Sequence, residues 1–205
     1  MDRISFVFTV FFMLLGPIKL IASFSGLMRE ADVRFKRDVA IRGTVIAAAL
    51  CVFVALTGES LLAKYRISID AVRVSGGLVL LIAALQAIFV KPQASRPSPG
   101  TPTALQLAAS PVAVPNIVPP AGIAAILIFT MLAPQYPGMI QAVAICLAII
   151  LVLDFLVMYF IDLVVKTPGL MIFLAVLGSV LVFVQVSLAI QMMLVALTHL
   201  GAFRG

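Results

Sequence analysis

SPVAVPNIVPPAGIAAILIF, residues 110–129, and its counterpart FFMLLGPIKLIASFSGL, residues 11–27, decide how this chain folds. Each stretch is apolar, and each is interrupted: by Gly16 and Pro17 in the one, by Pro111, Pro115, Pro119, Pro120 and Gly122 in the other. Proline has no N–H to donate, and its ring clashes with the preceding turn, so a spanning helix that carries one is kinked or split. The freed backbone groups are tolerated at membrane depth only inside protein or beside a watery cavity. Paired breaks, one opening each half of the chain, therefore mark a candidate solute site.

Composition sets the solvent. The 205 residues are 63% hydrophobic and 11% charged, with a mean hydropathy of +1.24, whereas charged residues make up about a quarter of an ordinary soluble domain. A spanning helix needs about 20 apolar residues, and six stretches qualify, at 4–27, 40–62, 71–90, 110–133, 138–165 and 169–200. These runs are too long for the alternating strands of an outer-membrane barrel. The expected class is an all-α integral membrane protein with six transmembrane helices, the first and fourth broken. Arg3 before an apolar run that reaches Ala22-Ser23-Phe24-Ser25 looks like a secretory signal. The run continues to Met28 and a basic loop follows, so an uncleaved helix is expected.

The charges report topology. Arg29, Arg34, Lys36, Arg37, Arg42, Lys91, Arg96 and Lys166 fall in the first, third and fifth loops, against Arg3, Lys64, Arg66, Arg73 and Arg204 on the other side. Basic loops stay cytoplasmic, so the expectation is an inner-membrane protein with both termini periplasmic. The net charge of +6 then reflects loops facing anionic headgroups, with no call for nucleic acid. Cys51 and Cys146 lie in apolar segments and His199 is the sole histidine, so neither a disulfide framework, a metal site nor a cofactor is expected.

Lys91 to Ser110 is rich in proline, serine and threonine and divides the helices three and three. The expected organisation is a first three-helix repeat over 1–90, a cytoplasmic linker over 91–109 and a second repeat over 110–205. Each half runs broken helix, unbroken helix, then a third helix with glycine near its start, Gly76-Gly77 in one half and Gly178 in the other. An odd number of spans per half makes the second half enter from the opposite side, which is an inverted repeat.

Several strings resemble the MarC family of bacterial inner membrane proteins. The strongest is TGESLLAKYRISIDAVRVSGGLVLLIAALQAIF, residues 57–89, with Gly58-Glu59, Ile67-Ser68 and Arg73-Val74-Ser75-Gly76-Gly77. Pro111, Pro115, Pro120 and Ile123 resemble the family's second break. The chain departs from the family at Gly16-Pro17-Ile18-Lys19, where an Asn-Pro-x-Gly break and a further proline are usual, and at Pro119, where glycine is usual. The resemblance implies about six spans. Some relatives are classed as neutral amino acid transporters, which would make such a solute the expected cargo.

Lys19, just past the first break, and Asp154, in ILVLDFLVMYF, are the charges deepest in apolar sequence. On insertion scales such a group costs about 2.5–3.5 kcal/mol at mid-membrane. Two readings stand: Lys19 meets a solute carboxylate while Asp154 serves proton or sodium coupling, or the two form a structural pair. Asn116 either satisfies backbone freed by Pro115 and Pro119 or meets a polar solute. Glu59 reads as an interfacial ion pair with Lys64 and Arg66, Asp162 as a solvated helix-end charge, and Gln185 and Gln191 as helix bridges. The expected substrate-binding set is Gly16, Pro17, Lys19, Asn116, Pro119, Pro120 and Gly122, with Asp154 as the coupling residue and no catalytic group. The half-helices starting near Pro17 and Pro120 would aim positive N-termini at one cavity. The function expected is secondary transport of a small polar or zwitterionic solute; the alternative is a non-transporting membrane scaffold or assembly protein. Partners are the solute and membrane lipids, with a homo-oligomer left open.

Overall fold

The computed structural model describes residues 3–89, 103–167 and 169–201. All regular elements among them are helical: α1 (Arg3–Leu15), α2 (Pro17–Leu27), α3 (Val33–Lys64), α4 (Ile69–Phe89), α5 (Ala104–Leu107), α6 (Pro120–Leu132), α7 (Met139–Tyr159), α8 (Ile161–Lys166) and α9 (Leu170–His199). A wide-turn segment, Ala108–Ile117, joins α5 to α6, and a short 3-10 turn, Ala133–Gln135, follows α6. Five helical stretches are long and apolar enough to cross a membrane, and a sixth appears when the bent pair Ala104–Ile117 and Pro120–Gln135 counts as one span. The all-helical membrane class is as expected, because a helix satisfies its own backbone in hydrocarbon.

The two breaks differ in degree. Ile4–Leu27 runs on as a single apolar span through its interruption, whereas the second break bends by 61°. Their local geometry is nonetheless the same. Gly16 (φ −64°, ψ 165°) and Pro119 (φ −70°, ψ 158°) are both extended N-cap residues followed by proline as the first helical residue, the place where proline's missing donor costs least. Gly16 is required here by space, since a Cβ would lie 2.1 Å from the carbonyl oxygen of Phe12. The greater bend of the second break follows from its extra prolines, with Ser110 and Val114 both leaving helical backbone angles ahead of Pro111 and Pro115.

Several boundaries move. Helix α3 begins at Val33 rather than 40, capped by Asp32, whose side chain accepts from the Arg34 N–H, so most of the first basic loop is helical. The expected span 138–165 is divided at Phe160 into α7 and α8. Of the linker expected over 91–109, residues up to 102 lie outside the described residues, together with Lys91, Arg96 and Arg204. From Ala104 it is helix, because Thr103 and Gln106 form a reciprocal capping box.

Helices α4 and α9 pack most extensively, α3 lies against α7, the first broken span packs on α7, and the second packs on α3. Gly77 permits the α4–α9 approach, since a Cβ there would fall 2.8 Å from the Ala189 carbonyl oxygen. Gly178 does not mirror it: its neighbour is Ile18 on α2, at 3.7 Å. Two polar ties mark opposite ends of the bundle. Lys36 of α3 bridges Asp162 of α8 at 2.7 Å, while Asp70 of α4 meets Arg73 at 2.9 Å and His199 of α9 at 3.2 Å. Asp162 is therefore paired, not simply solvated. No ion pair joins Glu59 to Lys64 or Arg66 among the described residues, a correction that fits three side chains free to hydrate at a helix end.

Candidate functional site

The two breaks meet. Leu15, beside Gly16, lies against Gly122 in the first turn of α6, where an added Cβ would be 3.0 Å from the leucine side chain. Behind them Phe11 of α1 stands edge-on to Phe129 of α6, ring centroids 5.3 Å apart. Next to this contact is a half-open cavity of about 240 Å³, lined by Leu14, Lys19 and Ser23 from the first broken span, Pro115, Asn116, Pro119 and Ala121 from the second, Ala83 from α4 and Gln185 from α9. A larger depression, about 340 Å³, lies at a helix end around Glu59, Ser68 and Gln135 and includes neither break.

Of the expected binding residues, Lys19, Asn116 and Pro119 line the cavity. Gly16, Pro17, Pro120 and Gly122 build it by stopping and restarting the helices, without lining it themselves. Their contribution is backbone polarity: Pro17 and Pro120 cannot donate to the carbonyls one turn earlier, and in α6, where Gly122 and Ile123 N–H donate to the Pro119 carbonyl at 2.8 and 3.1 Å, the Ala121 N–H is the first-turn donor without an acceptor in its own helix.

Lys19 does not pair with Asp154. Its ammonium donates to Gln185 Oε1, and Gln185 Nε2 donates to the Leu80 carbonyl of α4 at 3.3 Å. Gln185 is 1% exposed, so its amide is fixed between Lys19 and α4. The expected bridging role of this glutamine holds, but its place in the cavity wall does not follow from the sequence. The available signal was an amide near the centre of an apolar helix; Ser23 gave none.

Asp154 lies elsewhere, on the buried stripe of α7, and is 0% exposed. Neither of its carboxyl oxygens has a hydrogen-bond partner among the described residues. The thiol of Cys51, on α3, is within electrostatic reach of it. A carboxyl group buried without a partner carries an uncompensated desolvation cost. Both cysteines are free and buried, and no cluster of three or more metal-ligating side chains occurs among the described residues.

The comparisons with known proteins agree with this architecture. Residues 1–200 match the family described as "MarC family integral membrane protein". The chain is 25% identical over 147 residues to the UPF0056 inner membrane protein YhgN of Escherichia coli strain K12, covering 72% of each chain. It is 23% identical over 118 residues to a UPF0056 membrane protein of Buchnera aphidicola subsp. Schizaphis graminum, covering 58% of this chain and 59% of that one. No solved structure matches. A helical bundle with several membrane-spanning helices, two proline breaks brought into contact and a match along nearly its whole length make this chain a member of the MarC family of integral membrane proteins.

Proposed function

We propose that the protein is a secondary transporter of the inner membrane, a carrier and not an enzyme, that moves a small polar or zwitterionic solute, neutral amino acids included. The observation that carries this reading is the convergence of both helix breaks on one cavity holding an accessible lysine. Broken helices whose ends face a cavity are how transporters bind solutes within the bilayer. The name of the Escherichia coli relative favours the inner membrane, and the basic first and fifth loops favour periplasmic termini.

An inverted repeat of two three-helix halves underlies this mechanism. The shift that carries Gly16-Pro17 onto Pro119-Pro120 also carries Val39, Ala40, Gly43, Ala47 and Cys51 of α3 onto Ala142, Val143, Cys146, Ile150 and Asp154 of α7, all of them buried. It likewise carries Val10, Leu14 and Leu15 onto Ala113, Ile117 and Val118, again all buried. Exchanging the halves also preserves several pairings, first broken span on α7, second on α3, α3 on α7, and α4 on α9, whereas the close packing of α4 on α6 has only a weak counterpart between α9 and α2. Alternating access would rock one half against the other around the cavity, and Asp154 would gain and lose a proton as its packing changed.

The scaffold alternative draws on the Lys19–Gln185 bond, which ties α2 to α9. Counterflow in proteoliposomes separates the two: a labelled solute exchanging across the bilayer supports transport. A flat response across amino acids, hydroxy acids and amines, with the protein correctly folded, leaves the scaffold reading.

A further inference from the structure

Resting on the transport reading above, we propose that the cavity recognises its solute by the carboxylate alone, so that small monocarboxylates are accepted whether or not they carry an α-amino group. Among the described residues, Lys19 is the only ionisable side chain in the cavity wall, and no aspartate or glutamate lines it. Asp154, the acid deepest in the helices, is 0% exposed and outside the lining. The site therefore has a positive field with no matching negative group.

Backbone polarity adds to that field. Ala121, the second residue of α6, lines the cavity, and an N–H in the first turn has no acceptor within its own helix. Helix α2, which carries Lys19, also starts beside the cavity, so two helix N-termini and one ammonium converge there.

Gln185 makes the binding an exchange. It offers Lys19 a neutral oxygen, held in position by the bond from its own Nε2 to Leu80. A carboxylate adds to the hydrogen bond an attraction between opposite charges that the neutral amide oxygen of Gln185 lacks. The arriving carboxylate would therefore take Lys19 from Gln185 and neutralise the cavity. A solute ammonium finds only neutral acceptors in the lining, Asn116, Ser23 and the released Gln185 oxygen, and is repelled by Lys19, so it contributes less to recognition than the carboxylate. The volume, about 240 Å³ and below the roughly 300–1,000 Å³ of sites for drug-sized ligands, suits a small solute.

Three probes of similar size test the proposal: L-lactate, which has the carboxylate without the ammonium; L-alaninamide, which has the ammonium without the carboxylate; and L-alanine, which has both. Counterflow of each is measured with the full chain in phosphatidylcholine vesicles, where no anionic headgroup competes for Lys19. The expected result is exchange of lactate and alanine at comparable rates, with alaninamide at least about tenfold slower. Gln185→Glu, which places a fixed carboxylate against Lys19, and Lys19→Met should each abolish exchange of both acids. Equal retention of monodisperse, helical protein excludes misfolding as the cause. Exchange of alaninamide at or above the lactate rate overturns the proposal, and so does exchange of alanine without lactate. If other solutes exchange and none of these three does, the carboxylate class fails while transport stands. If no solute exchanges at all, the transport reading itself falls.

Discussion

Leu15 and Gly122 touch across the two helix breaks so closely that a Cβ at Gly122 would sit 3.0 Å from both Cγ and Cδ1 of Leu15 and the leucine would have to shift. This contact sets the distance between the two half-helices that flank the cavity.

Gly122→Val should push α6 from α1, at a cost of about 1–3 kcal/mol for overpacking. Solute exchange is expected to fall sharply while the helical circular dichroism signal stays. Pairing it with Leu15→Ala, which opens space opposite, should restore part of the exchange.

Gly16→Ala should be more damaging to the fold. The new methyl meets the Phe12 carbonyl, a backbone atom that cannot swing aside as a leucine can. A loss of roughly 1–3 kcal/mol is expected, read as a lower unfolding midpoint in detergent. Gly26→Ala, where nothing lies within 4 Å of the added Cβ, is the matched control and should be close to neutral.

Asp154→Asn removes a carboxyl group that has no hydrogen-bond partner to lose. Stability should change by less than about 1 kcal/mol, since no named cause of large destabilisation applies. If Asp154 carries the proton, accumulation driven by a pH gradient should disappear while solute exchange at equal pH persists. A variant that still accumulates solute on a pH gradient would remove Asp154 from the coupling step.

Lys36 and Asp162 should be separable by charge reversal. Asp162 is 42% exposed, so the bridge is partly solvated and its loss in Lys36→Ala should cost about 0.5–1 kcal/mol. The double exchange Lys36→Asp with Asp162→Lys should recover most of it, measured in a double-mutant cycle.

Reporter fusions test the orientation. An enzyme active only in the periplasm, fused after residue 205, should be active, and the same enzyme inserted at Glu30 should be silent.

The sequence by itself determined the solvent and the class of fold. Six apolar runs and few charges leave no choice but helices, because the bilayer offers no partner for an open backbone. It also located both breaks to the residue, since proline and glycine act on their own backbone and need no tertiary context to do so. The shared N-cap geometry of Gly16 and Pro119 is the result. Helix ends were read less well: Val33 starts α3 because Asp32 caps it, and charged residues continue that helix beyond its apolar run.

Only the tertiary structure decided which polar groups meet. Lys19 and Asp154 are the obvious pair on charge alone, yet Lys19 turns to Gln185, 166 positions away, and Asp154 packs alone against α3. Hydropathy reports the depth of a residue but not its direction around the helix. In α7 and α9, apolar on every side, there is no polar face from which that direction can be read. The rotation of each helix is set by packing, such as Leu15 on Gly122 and Gly77 on Ala189, and that rotation brings Gln185 into the cavity and leaves Asp154 outside it.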